Sequence, residues 1–188
     1  MNLLLNDILM DDLYRYEGGN NKKLSIQIRY LLTVPEFLYT VFYRKSNSAR
    51  LKVTRMIWSF FLNITKVITH IRISSAVKIG RGLRIAHFGS IVVNPHVVIG
   101  KNFNISEGCL IGFSEGRNRG VPTIGDNVCM NANAIIIGGV HIGNNVLIAP
   151  GAFINFDVPD NSIVIGNPGK IINRETSPTA KFIVYPVD

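Results

Sequence analysis

Residues 124–154 read I-G-D-N-V-C-M-N-A-N-A-I-I-I-G-G-V-H-I-G-N-N-V-L-I-A-P-G-A-F-I, with an aliphatic or Met side chain at every sixth position: Ile124, Met130, Ile136, Ile142, Ile148 and Ile154. Upstream the same beat falls on Ile79 and Ile85, and then on Ile99, Ile105 and Ile111. A second aliphatic often stands two residues earlier, as at Val77, Leu83, Val97, Val128, Val140 and Val146, and glycine often follows the beat. A helix repeats near 3.6 residues and a plain strand near 2, so neither explains a sustained six. Short repeats of fixed period mark a solenoid, in which each unit buries its apolar side only against its neighbours. Six residues make one flat face of a triangular prism and three such units one coil. The expected fold is mainly β, a left-handed parallel β-helix of hexapeptide repeats with an α-helical N-terminal segment. A Val/Ile-rich β-sandwich would not hold one beat for so long.

Between Ile91 and Ile99 the count slips by two, and Phe113–Pro122 (F-S-E-G-R-N-R-G-V-P) breaks the beat and must leave the prism as a loop. Loops carried on a rigid scaffold are where function concentrates. The chain divides into a helical region at 1–72, coils at 73–172 with a loop at 113–122, and an irregular tail at 173–188. In the helical region, the Gly18-Gly19-Asn20-Asn21 turn ends a first helix, and Pro35 breaks the next.

At 188 residues the chain has length for a real core. Its two cysteines, Cys109 and Cys129, lack paired spacing, which argues against a disulfide framework or a structural zinc site and for small apolar wall residues. The start, M-N-L-L-L-N-D-I-L-M-D-D, is acidic and lacks a basic leader region, so a cytoplasmic address is expected. The net charge of +8 is uneven: residues 22–72 hold ten Lys or Arg against one acid, Glu36. The same segment is apolar and aromatic, yet no run is long enough to span a bilayer. It is expected to pack on the end of the prism and to allow peripheral contact with an anionic membrane. No nucleic-acid module accompanies the charge, so nucleic acid is not an expected partner.

The stretches G-L-R-I-A-H-F-G-S-I-V-V-N-P, I-G-K-N-F-N-I-S-E-G-C-L-I-G, P-T-I-G-D-N-V and V-P-D-N-S-I-V-I-G-N-P-G-K-I-I resemble the serine acetyltransferase-like branch of the hexapeptide acyltransferases. The resemblance covers about residues 73–172. V-P-E-F-L-Y-T-V-F-Y-R is similar to the helical lead-in of the subgroup that modifies bacterial polysaccharide and capsule. The resemblance implies a homotrimer binding acetyl-CoA in grooves between neighbouring prisms, with no metal, and a histidine that deprotonates an acceptor hydroxyl.

Among four histidines, His87 stands where the family pattern has its base, and an imidazole suits a hydroxyl near neutral pH. His141 falls on an outward position, His96 on a corner, and His70 before the coils. Serine-specific relatives carry an aspartate just before this histidine and another about fifteen residues upstream; here those positions are Ala86 and Arg72. A sugar or surface-polysaccharide hydroxyl is therefore the first expectation for the acceptor, and L-serine the alternative. Counting one coil onward puts Glu107 above His87, as a carboxylate to orient it. The family pattern carries over to Gly112, Ala132, Pro150, Gly151, Gly169 and Lys170 for the cofactor, with Gly112 presenting an amide to the thioester oxygen. Asn94, Arg117 and Arg119 are the candidates for the acceptor side, guanidinium forks suiting carboxylates, phosphates or sugars. A β-helix zinc carbonic anhydrase needs converging histidines, which the spacing of His87, His96 and His141 does not support. A non-catalytic scaffold would not need the terminal G-N-P-G-K.

Overall fold

Three stacks of short strands enclose the beat residues. In the computed structural model, which describes residues 6–116 and 118–188, the first face stacks β1 (Ile71–Ile73), β4 (Ile91–Val93), β7 (Leu110–Gly112), β10 (Ile135–Ile137) and β13 (Phe153–Ile154). The second stacks β2 (Lys78–Ile79), β5 (Val98–Ile99), β8 (Thr123–Ile124) and β11 (His141–Ile142). The third stacks β3 (Arg84–Ile85), β6 (Asn104–Ile105), β9 (Cys129–Met130), β12 (Leu147–Ile148) and β14 (Ser162–Ile165), closed by antiparallel β15 (Lys170–Asn173). All coil-to-coil pairings are parallel, so the fold is the expected parallel β-helix with a helical lead-in.

Every beat residue from Ile79 to Ile154 is buried in one continuous core. The glycines after the beat have a steric reason. A Cβ on Gly80, Gly100 or Gly125 would lie 2.7–2.9 Å from backbone of the corner above, closer than any carbon can approach. Two residues on, at the same edge, Asn102, Asn127, Asn145 and Asn161 all take positive φ near 56°, where Asn is the best-tolerated residue after Gly. Each donates its side-chain amide to the next, at 3.0, 3.1 and 2.9 Å, so the edge is an asparagine ladder.

The helices α1 (Asp7–Glu17), α2 (Leu24–Thr33), α3 (Pro35–Ser48) and α4 (Lys52–Thr69) cover the open first coil. Pro35 occupies the first turn of α3, so the expected break is a clean boundary at Val34. A solenoid end exposes unpaired backbone groups that invite aggregation. Here side chains satisfy them. The Tyr39 hydroxyl donates to Ile73 O and accepts from Ile73 N, Tyr16 does the same at Ile85, and Tyr43 donates to Val77 O. Arg44 donates to Ile79 O and Gly80 O while holding Asp12 at 2.8 and 3.0 Å, and Asp12 accepts from Leu83 N. Arg44 is therefore a buried cap and not one of the surface cations counted in the basic segment. No helix of the described residues is long and apolar enough to cross a membrane.

Candidate active site

Where the chain crosses from the third face to the first, the crossings stack into one edge of the prism. The lowest crossing, residues 86–90, carries two residues more than those above it. Ile85 pairs with Ile105, twenty positions on, whereas Val93 pairs with Ile111, eighteen on. The slip thus lies at His87 itself and not between Ile91 and Ile99. Ile91 and Val93 both point inward, so the aliphatic run hides where the beat resumes. The extra residues form a bulge that leaves His87 and Phe88 exposed at the edge. Gly89 ties the bulge back by donating to Thr69 O at 3.0 Å.

Glu107 sits one coil above. A Cβ on Gly89 would lie 3.0 Å from the Glu107 Cβ, so glycine here lets the acidic stem rest on the bulge. The Glu107 Oε2 is buried without a hydrogen-bond partner. The ion pairs among the described residues are Arg29–Glu17, Arg44–Asp12, Arg81–Asp11 and Arg119–Glu115, so the expected Glu107–His87 contact is not closed in this single chain. A buried carboxylate oxygen left unpaired costs roughly 1–3 kcal/mol or more and calls for an explanation.

The same edge continues upward through the cofactor candidates. Asn133 N donates to Glu107 O, and Gly151 N to Ala132 O, each at 2.9 Å. At Gly151 (φ 69°) an added Cβ would meet nothing within 4 Å, so Pro150 and Gly151 leave open space along the backbone. From His87 to Gly151 is three coil steps, about 14 Å at the usual strand spacing. Gly169 caps the edge, its N–H on Phe153 O at 3.0 Å; a Cβ there would lie 2.4 Å from that oxygen. Close packing alone thus requires Gly169. Lys170 follows, exposed at the top.

The remaining candidates lie across the first face, on the neighbouring edge. Gly112 ends β7 and accepts from Gly138 N at 3.2 Å. The Asn94 side chain closes its own turn, Oδ1 accepting from His96 N at 3.0 Å, so it is committed locally. The ejected loop is a docked hairpin. Ser114 and Gly120 exchange both backbone hydrogen bonds at 3.1 Å, and Asn118 reaches Gly139 N and Asn155 O. Arg119 pairs with Glu115 at 3.6 Å, both well exposed, a contact worth little. Arg117 lies outside the described residues. Under the loop opens a cleft of about 570 Å³ lined by Ser114, Asn118, Ile137, Asn155, Phe156 and Asp157. Sequence reading passed over Asn155–Asp157, which stand two coils above the root of the loop and carry no motif.

His141 is exposed on the second face beside Thr123 Oγ1, His96 sits at the edge opposite His87, and His70 ends α4 with φ 56°. Among the described residues no three His, Cys, Asp or Glu side chains converge as a metal set. Cys109 and Cys129 are buried free thiols, and burial pushes Cys109 up to about 11, so neither is poised as a nucleophile.

The family described as bacterial transferase hexapeptide (six repeats) matches residues 122–155, which are β8 to β13 of this prism. Those residues are bacterial-transferase hexapeptide repeats. A serine acetyltransferase of Staphylococcus aureus is 36% identical over 114 residues, 60% of this chain and 53% of the relative, so the chain spans about half of that protein's length. The Neisseria gonorrhoeae serine acetyltransferase solved in complex with serine is 30% identical, with a TM-score of 0.71 over 87% of this chain and 67% of the other. A Brucella abortus serine acetyltransferase solved with coenzyme A shares the fold, with a TM-score of 0.73 at 23% identity over 90% of this chain and 67% of the other.

Proposed function

We propose that this chain is an acetyl-CoA-dependent O-acetyltransferase in which His87 takes the proton of an acceptor hydroxyl. The observation that carries the reading is the edge itself: an exposed histidine on a bulge, with an open small-residue track above it ending at Lys170. Bound acetyl-CoA would supply the thioester carbonyl. Ala132, Pro150 and Gly151 would flank the pantetheine arm, and Lys170 would meet a phosphate. His87 accepts the hydroxyl proton as the new C–O bond forms, and returns it to the departing thiolate as the C–S bond breaks. No residue of the edge offers a covalent way station, so transfer is direct. Neighbouring prisms in a homotrimer would complete the groove.

Glu107 is the positioning residue of this reading, because its unpartnered Oε2 lies beside the histidine bulge. A carboxylate that orients the base without replacing it should cost less than the base itself, so Glu107→Gln should reduce kcat about tenfold across pH 6–9. An unchanged kcat across that range would remove Glu107 from the mechanism.

The similarity to serine acetyltransferases supports L-serine as acceptor over the sugar hydroxyl expected first from sequence. The expected result is kcat/KM at or above about 10⁴ M⁻¹s⁻¹ on L-serine. One observation favours the sugar: Arg72 is exposed on β1, and neither it nor Ala86 can hold an ammonium group. If L-serine is turned over a hundredfold more slowly than a nucleotide sugar, the sugar reading replaces it.

A further inference from the structure

We propose that α4 seats this protein on an anionic lipid surface, its apolar stripe in the interface and its cations on the headgroups. The stripe is Val53, Met56, Ile57, Phe60, Ile64, Val67 and Ile68, spaced as one face of a helix. All are exposed, Val67 at 75% and Phe60 at 62%, and they form one continuous face of a single helix. The opposite side of α4 does the structural work: Leu62, Thr65 and Thr69 are buried, and Ser59 reaches Ser46 of α3 at 2.8 Å. The stripe is therefore surplus to folding. An exposed apolar patch of this size marks an interaction surface.

Charge decides the occupant. From Phe37 to Ser106 the chain contains no Asp or Glu, while Lys52, Arg55 and Lys66 line one flank of the stripe. At the C-terminal end of α4 a cleft of about 450 Å³ opens between Lys66, Val67, His70, Arg72 and Ser74, joining the stripe to a pocket whose only charged groups are basic. Two copies meeting stripe to stripe would bring these cations together with no acid nearby to offset them. An anionic bilayer offers what both halves need, acyl chains for the stripe and phosphates for the flank and cleft. A surface-lying helix of this kind needs no membrane-spanning length. The end of α4 adjoins the His87 bulge, where Gly89 N donates to Thr69 O, so the two readings are separated by readout: vesicle binding without substrates tests this surface, and turnover of a soluble acceptor tests the edge.

The test is flotation of the full chain with vesicles of pure phosphatidylcholine and of phosphatidylcholine with 30% phosphatidylglycerol, beside sedimentation velocity without lipid. Expected are binding to the anionic vesicles at least tenfold above the neutral ones, and release as salt rises from 0.05 to 0.5 M, where screening shortens to a few ångströms. Phe60→Ser with Ile64→Ser should reduce binding at least tenfold, as should Lys52→Gln with Lys66→Gln, while acetyl transfer to a soluble acceptor stays at the wild-type rate. Recovery in the unbound fraction with both vesicle types overturns the proposal. So does a Phe60→Ser, Ile64→Ser variant that sediments as a smaller assembly than wild type, since the stripe would then be an interface between copies.

Discussion

Replacing His87 with alanine should lower turnover by about 10²–10⁴-fold at saturating acetyl-CoA, with the circular dichroism spectrum and melting temperature unchanged. The size follows from the role: a positioned base removes a proton that the hydroxyl gives up poorly by itself. The absence of a structural effect follows from the geometry. His87 is exposed on a two-residue bulge, makes no side-chain hydrogen bond among those of the described residues, and fills no part of the core. The loss should appear in kcat more than in the KM for acetyl-CoA, because the cofactor candidates begin one coil higher. His141→Ala and His96→Ala are the matched controls, each expected within twofold of wild type. A His87→Ala enzyme with near wild-type turnover would falsify the assignment.

The inward half of this molecule was readable because a period of six states which side chains are inside. Each beat residue from Ile79 to Ile154 is buried, and the glycines after the beat sit where corners touch. Counting placed Glu107 one coil above His87, while Ala132 and Gly151 came from the family resemblance, and the stacked crossings bring all four to one edge. Counting failed where the residues stopped discriminating. Ile91-Val92-Val93 offers three aliphatics for two inward positions, so the slip was placed after the bulge instead of on it. It failed again for the helices. Tyr16, Tyr39, Tyr43, Asp12 and Arg44 cap strands 34 to 71 positions away. Nothing local separates a tyrosine that caps an edge from one that packs. Asn155–Asp157 entered the cleft because a loop folded over them, a neighbour relation that a one-dimensional pattern does not carry.

Those caps support the second large effect, on stability. Asp12→Ala should destabilise the protein by about 3–5 kcal/mol, because it strands the buried Arg44 guanidinium. For a chain of this size that is roughly 6–20 °C in melting temperature, measured by calorimetry or urea titration. The informative experiment is the double replacement. A buried ion pair exchanged for apolar side chains of similar size is often neutral or stabilising, since the desolvation of both charges is relieved together. That relief should fail here. Asp12 also accepts from Leu83 N at 2.8 Å, and Arg44 donates to Ile79 O and Gly80 O at 2.6 and 2.7 Å, so the pair is the terminus of two strands. Asp12→Leu with Arg44→Met leaves three backbone groups of the first coil without partners, at roughly 1–3 kcal/mol for each one that stays buried. The double variant should therefore remain at least 2 kcal/mol below wild type. Its hydrogen exchange should rise first at Leu83 and its neighbours in the lowest coil, while the amides of β10 and β12 stay protected. A double variant as stable as wild type would mean that the pair only balances its own charges, and that the open end of the prism is held by the tyrosines alone.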